Sequence, residues 1–302
     1  MQISDNMRGA AYMTLAMAAF TVNDTCMKSV TVEMPLYQAL VLRGFLTMIA
    51  LALIAQKMGG LRLHQGRSDM RLIGYRTIGE VGGTAAFLTA LKHMPLANLS
   101  AIMQVLPLAV TLVAALFLRE KVGWRRLSAI LIGFLGVLMI VRPGSSGFDV
   151  WSLLGLSAVA FVVLRDLTTR RLSAGVPSVT VAFYAAASVT LMGIMLVPFT
   201  GWVPVTLHLG LLIAAASAFV IVGYLVVVMA MRVGEVGIVA PFRYTALIFA
   251  IALGWLAFGQ LPDNWTMIGA MIVIVTGIYT FYRERRAGQR VATPEKAPLR
   301  VR

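Results

Sequence analysis

The chain has 302 residues, 59% of them hydrophobic and only 13% charged, so it carries far more apolar surface than one soluble core hides. Its formal net charge is +14 and Cys26 is its one cysteine, which excludes an internal disulfide and adds nothing to a metal ligand set. At roughly 20 residues per membrane crossing, such a chain accommodates about ten helices with short connections.

The expected spans are 8–29, 36–55, 71–91, 96–117, 126–142, 150–168, 178–199, 207–231, 235–258 and 264–283. The first has features of a signal peptide, with Arg8 before an apolar run and Ala16-Met17-Ala18 resembling a cleavage site. The apolar run continues past that point, so it reads as a retained span. Near its end stand Asn23, Asp24 and Lys28, the last two sharing a helical face. Asp24 is expected about five residues from the outer end, roughly 7–8 Å deep at 1.5 Å per residue. The second span carries Arg43 with no acid on its own helix, and the third carries Arg76 and Glu80 four residues apart.

Pro107 falls near the middle of the fourth span, and Gly133 with Gly136 lets the fifth approach a neighbour closely. The sixth ends with Arg165 and Asp166 close to the inner surface, read as a structural ion pair. In the eighth, Ala214 and Ala218 give another small-residue spacing, and the ninth holds Pro241, Arg243 and Tyr244. The tail RERRAGQRVATPEKAPLRVR is polar, basic and expected to be disordered, with anionic lipid as its natural contact.

Residues 90–142 and 230–283 are two versions of one pattern. A shift of 140 sets Ala90 on Ala230, Lys92 on Arg232 and Glu120 on Gln260; one inserted residue then sets Trp124 on Trp265, Gly136 on Gly277 and Arg142 on Arg283. Five spans is an odd number, so the second copy enters the membrane from the opposite side. Inverted repeats of this kind build secondary transporters, with the substrate site where the halves meet.

The basic residues set the orientation. With the N-terminus inside, nineteen Lys and Arg lie in inner segments, against Lys28, Lys92 and Arg142 outside. The positive-inside rule then places both termini in the cytoplasm. The charge thus serves topology and gives no sign of nucleic-acid binding.

A charge at the bilayer centre costs about 2.5–3.5 kcal/mol on insertion scales, so charged residues within spans face one another or a cavity. Arg76–Glu80 is able to neutralise itself as a local ion pair, whereas Arg43 and Arg243 need a carboxylate from elsewhere or a substrate. Proline frees a backbone carbonyl one turn earlier, tolerated at depth only against protein or water. The candidate substrate-binding residues are therefore Asn23, Asp24, Arg43, Arg76, Glu80, Arg243 and Tyr244, with Pro107 and Pro241 as bends. Tyr12, Phe20, Tyr75, Phe242 and Tyr244 offer faces for a flat ligand.

Catalytic chemistry is hard to find. There is no G-x-x-x-x-G-K-[ST] loop, and His64, His93 and His208 lie in separate loops without metal spacing. The remaining enzyme reading, an intramembrane transferase using Asp24, Glu80 and the arginines, lacks a polar loop or domain for its donor.

Residues 8–283 resemble the drug/metabolite transporter superfamily, in particular its ten-span EamA-type members. The resemblance rests on Ala101, Pro107 and Glu120 in and after the fourth span, then Trp124 and the Gly133-x-x-Gly136 helix. A narrower likeness comes from Asn23-Asp24-x-x-x-Lys28, Leu42-Arg43-Gly44-Phe45 and Ala240-Pro241-Phe242-Arg243-Tyr244. These are similar to the bacterial branch containing uptake carriers for S-adenosylmethionine and riboflavin. Gln260, where the second half of the family commonly has an acid, departs from the pattern and speaks against a coupling role there.

The resemblance implies an all-α integral membrane protein of ten helices in two inverted five-helix repeats, 1–142 and 150–283, with an outer linker at 143–149 and a basic tail at 284–302. It implies a bacterial inner-membrane carrier working by alternating access, without a cofactor, as a monomer or homodimer in contact with lipid. The 21 Arg against 5 Lys suit a GC-rich genome, whereas the S-adenosylmethionine carriers it resembles belong to obligate intracellular bacteria that tend to be AT-rich. Riboflavin uptake is therefore the leading expectation, with S-adenosylmethionine uptake or export of amino acids and related metabolites as alternatives. Proton coupling through Asp24 or Glu80 and simple facilitated diffusion both remain open.

Overall fold

In a bilayer every backbone N–H and C=O must be satisfied within the protein, so long apolar segments become helices. The computed structural model describes residues 5–57, 61, 64, 66–117, 123–143, 149–173, 175–233 and 236–291, and no strand occurs among them. Glu120, most of the 143–149 linker and residues 292–302 lie outside the described residues.

The first three helices are α1 (Asp5–Glu33), α2 (Leu36–Lys57) and α3 (Arg67–His93). The fourth span is divided into α4 (Leu96–Met103) and α5 (Leu106–Phe117), and α6 (Trp124–Val141) closes the first copy. The second copy begins with α7 (Val150–Arg170), α8 (Ser178–Thr200) and α9 (Leu207–Val233). Its ninth span consists of α10 (Val236–Val239), a 3-10 turn (Ala240–Tyr244) and α11 (Thr245–Phe258), followed by α12 (Asn264–Val291).

Eight spans among the described residues are long and apolar enough to cross a membrane by length and composition. The other two long helices, α1 and α3, fall short of that test. They are the helices that carry Asn23, Asp24 and Lys28 and Arg76 and Glu80.

The spans that carry Pro107 and Pro241 are interrupted rather than gently bent, whereas α8 runs unbroken through Pro198 near its end. Pro107 has no N–H to offer the Met103 carbonyl, and the chain turns at 104–105 before α5 begins. In the ninth span Pro241 stands at the start of the 3-10 turn. Two expectations need correction. Helix α1 runs four residues beyond 29, so Asp24 lies nine residues from Glu33, about 13 Å along the helix from that end. The polar tail is not wholly irregular either, because α12 continues to Val291.

The packing obeys the repeat. Helix α1 lies along α9, α3 along α7, α2 on α8, α6 on α12 and α4 on α11. Exchanging the two copies turns the α1–α9 pair into the α7–α3 pair and returns the α2–α8 and α6–α12 pairs to themselves. A specific contact also recurs: a Cβ at Gly82 would lie 2.6 Å from the Phe161 ring, and one at Gly223 would lie 2.7 Å from Phe20. Gly223 and Phe161 each stand 141 residues after their counterparts.

On α6, Leu127, Leu131, Leu135 and Leu138 are exposed, while Ala129, Gly133, Gly136 and Ile140 are buried. The leucine stripe suits lipid and the small-residue stripe meets α12. A Cβ at Gly136 would stand 2.7 Å from the Gly269 carbonyl oxygen, and one at Gly269 would stand 2.5 Å from that of Gly136. Gly136→Leu is expected to destabilise the protein by about 1–3 kcal/mol through overpacking, read as a lowered unfolding temperature in detergent. An unchanged temperature would mean that α6 and α12 separate freely.

At the ends of these two helices Arg142 pairs with Asp263. Arg142 is the left-handed cap of α6, with φ 49°. Burial acts to raise the Asp263 pKa, but hydrogen bonds from Arg142 and Thr266 outweigh it and hold the group at about 2. A depressed folded-state pKa stabilises above the ordinary value of 3.8, and the effect fades as pH falls toward 2. The pair is partly exposed, so it contributes under about 1 kcal/mol. Asp263→Asn should therefore lower the unfolding temperature slightly and equally at pH 5 and pH 8; a loss confined to one of them would contradict this.

Candidate functional site

A cavity of about 450 Å³ lies among α1–α5, α7–α9, the 3-10 turn and α11. Of the residues singled out by sequence, Asn23, Asp24, Arg43, Glu80, Arg243 and Pro107 line it. Arg76, Tyr244 and Pro241 are not part of its wall. Tyr244 is buried with its hydroxyl against Gly277. Among the aromatics Phe20 reaches the cavity. Tyr75 and Phe242 are exposed, and Tyr12 packs on the small apolar cluster of Met13 and Met17.

Two polar groups face this space. In the first, Asn23 donates to Asp24 Oδ1 at 2.9 Å and Arg43 Nη1 donates to Asn23 Oδ1 at 3.1 Å. Arg43 also interacts electrostatically with Asp24. The expected Asp24–Lys28 pairing is not formed. Lys28 instead donates to the carbonyls of Leu91, at 3.0 Å, and Met94, with its ammonium 5.3 Å from the Phe258 ring centre. The end of α3 presents carbonyls without helical partners, and a cation there also complements the helix dipole.

The second group crosses between the copies. Glu80 lies 3.3 Å from Arg76 and 3.9 Å from Arg165 of α7. Arg165 Nε donates to Asp166 at 2.9 Å, and Arg76 Nε donates to the Thr169 hydroxyl at 3.1 Å. One step further along α3, Asp69 accepts from the backbone N–H of Ser173 at 3.1 Å and from its hydroxyl at 2.7 Å. The Ser173 hydrogen bonds hold the Asp69 carboxyl below the usual carboxylate range. Contacts of 69 with 173, 76 with 169 and 80 with 165 make a polar seam along two antiparallel helices.

Sequence reasoning set Arg165 aside as a surface pair and passed over Tyr224, yet both line the cavity. Arg165 is five residues from the end of α7, about 7–8 Å in, and its guanidinium extends to Glu80. Counting 141 residues on from Asp24 would have found it. Tyr224 packs edge-on against Phe20, ring centres 5.4 Å apart. No signal in the Leu/Val-rich eighth span marks it, except that this span repeats the charged third. The charges on the wall are three guanidiniums (Arg43, Arg165, Arg243) against two carboxylates (Asp24, Glu80).

A family model described as the EamA-like transporter family matches this chain twice, over residues 7–142 and 149–282. The chain belongs to the EamA-like transporter family. Its relatives include the pseudopaline exporter of Pseudomonas aeruginosa, 28% identical over 89% of this chain and 94% of the relative. The riboflavin transporter of Vibrio cholerae is 26% identical over 94% and 96%. The S-adenosylmethionine uptake transporter of Rickettsia conorii is 22% identical over 93% and 95%. A solved crystal structure, 21% identical, superposes with a TM-score of 0.63 over 94% of this chain and 99% of that one, a likeness of fold.

As an EamA-like protein the chain is an all-α, multi-pass membrane transporter of small metabolites, with ten spans in two inverted repeats. Family and relatives indicate transport rather than catalysis. The cavity of this EamA-like transporter is walled by helices of both family-matched copies.

Proposed function

We propose that this chain carries a small organic metabolite across the bacterial inner membrane by alternating access through this cavity, with riboflavin uptake as the leading reading. The carrying observation is the wall itself, where the rings of Phe20 and Tyr224 stand beside three guanidiniums and two carboxylates. A volume of about 450 Å³ lies within the roughly 300–1,000 Å³ of small-molecule sites. A flavin needs a flat apolar contact and donors for its ring carbonyls, and a relative bears the name riboflavin transporter. The surplus guanidinium disfavours S-adenosylmethionine, a net cation, although relatives are named for its uptake. The same surplus supports a second reading, export of an amino acid or related carboxylate-bearing metabolite, in line with a relative named as an exporter.

In this reading Asn23, Asp24, Arg43, Glu80 and Arg243 meet the substrate and Arg76 holds Glu80. Tyr244 and Pro241 shape the break behind Arg243, as Pro107 shapes its counterpart. The working units are the repeats 1–142 and 150–283, joined by 143–149, and the tail at 284–302 lies against cytoplasmic lipid. No cofactor or nucleic acid takes part, and the protein acts as a monomer or homodimer. Reporter fusions after Arg302 and within 56–70 should both read cytoplasmic; a periplasmic signal from either overturns this orientation. Proteoliposomes holding the protein should take up labelled riboflavin in competition with unlabelled riboflavin. Uptake of S-adenosylmethionine or an amino acid instead would replace the substrate, and transport of none would reject the carrier reading.

A further inference from the structure

Glu80 combines three properties rarely found in one side chain. It is only 7% exposed, it lines the cavity, and its Oε2 accepts no hydrogen bond among the described residues. The nearest cations, Arg76 at 3.3 Å and Arg165 at 3.9 Å, give ion-pair attraction without a hydrogen bond to that oxygen. A buried carboxylate oxygen without a donor is costly, and a ligand donor would remove the cost. The groups around it are of the opposite kind. Arg165 and Arg43 both line the cavity and both interact with Glu80 through space. Guanidinium groups donate and never accept. Arg43 gives Nη1 to Asn23 and Arg165 gives Nε to Asp166, so each keeps further N–H groups for a ligand.

We propose that Glu80, flanked by Arg43 and Arg165, recognises the imide edge of a ring substrate, its –C(=O)–NH–C(=O)– group. The imide N–H donates to Glu80, and the two carbonyls accept from the guanidiniums. The ring lies on Tyr224, which Phe20 holds edge-on at 5.4 Å. An isolated carboxylate would meet repulsion at Glu80, and an amine would leave both guanidiniums without carbonyl partners. The array rests on the carrier reading above and narrows it to a substrate class, which includes flavins.

The test uses the purified full chain with riboflavin and N3-methylriboflavin, whose methyl group replaces the imide hydrogen. Binding is followed by quenching of flavin fluorescence. Riboflavin should bind at least tenfold more tightly than its N3-methyl derivative. Glu80→Gln should weaken riboflavin by tenfold or more and narrow that preference. Equal binding of the two ligands, or no binding of either, overturns the proposal using the unaltered protein, so it survives any folding defect in the variant. Parallel proteoliposome assays separate the two ideas. Transport of S-adenosylmethionine or an amino acid without flavin binding rejects imide recognition and keeps the carrier. N3–H-selective binding without transport of any solute does the reverse.

Discussion

Arg243→Lys is expected to leave the protein folded and membrane-inserted while cutting transport by about tenfold to a hundredfold. The residue stands in the 3-10 turn where the ninth span is interrupted, and it lines the cavity. Lysine keeps the positive charge, so orientation and through-space attraction remain. What it loses is the planar fork of five N–H donors that holds an oxygen-bearing ligand in one orientation. Charge-assisted hydrogen bonds contribute about 1.5–3 kcal/mol each, which sets the size of the loss. Folded protein is read from size-exclusion profiles and unfolding temperature, and transport from initial uptake rates at equal protein. A parallel loss of folded protein and transport would assign Arg243 to internal ion pairing instead.

Much of this arrangement is legible in the chain because membrane helices leave little choice. A charge in a span must find a cavity or a partner, so Asp24, Arg43, Glu80 and Arg243 stood out on solvation grounds alone. Prolines at 107 and 241 marked the interrupted spans because the missing N–H is a local property. The partners were less legible, since they depend on which helices meet. Asp24 and Lys28 share a helical face, yet the free carbonyls at the end of α3 attract Lys28 and leave Asp24 to Asn23 and Arg43. Arg165 looked superficial because its backbone is near the helix end, while a long side chain places its charge well inside. Tyr224 was invisible for a different reason. A lone tyrosine in an apolar span is ordinary, and its relation to Glu80 and Phe20 exists only once α9 and α3 are brought to one cavity.

The seam between α3 and α7 suggests how the two copies share the work. Glu80 with Arg165, Arg76 with Thr169 and Asp69 with Ser173 join helices from different copies, whereas Asn23, Asp24 and Arg43 all belong to the first. The positions 24 and 165 correspond in the repeat but carry opposite charges. The fold is thus nearly symmetric while the site is not, which gives a bound molecule a defined orientation between its two faces.

Asp24→Asn should reduce substrate exchange and gradient-driven accumulation together, by tenfold or more. Asp24 faces Arg43 with Asn23 between them, so its neutralisation removes one of the two carboxylates that act on this half-buried guanidinium, Glu80 being the other. Neutralising the partner as well, in Asp24→Asn with Arg43→Gln, should recover folded protein and unfolding temperature, even where transport stays low because Arg43 also meets substrate. Lys28 is the control: Lys28→Met alongside Asp24→Asn should give no recovery, since Lys28 is committed to the Leu91 and Met94 carbonyls. A different outcome would reassign the residue. Full exchange with loss of accumulation under an imposed proton gradient would make Asp24 the proton-coupling group, because exchange alone needs no net proton movement. Exchange and accumulation both unchanged would remove it from the transport cycle and leave Glu80 as the remaining carboxylate on the wall.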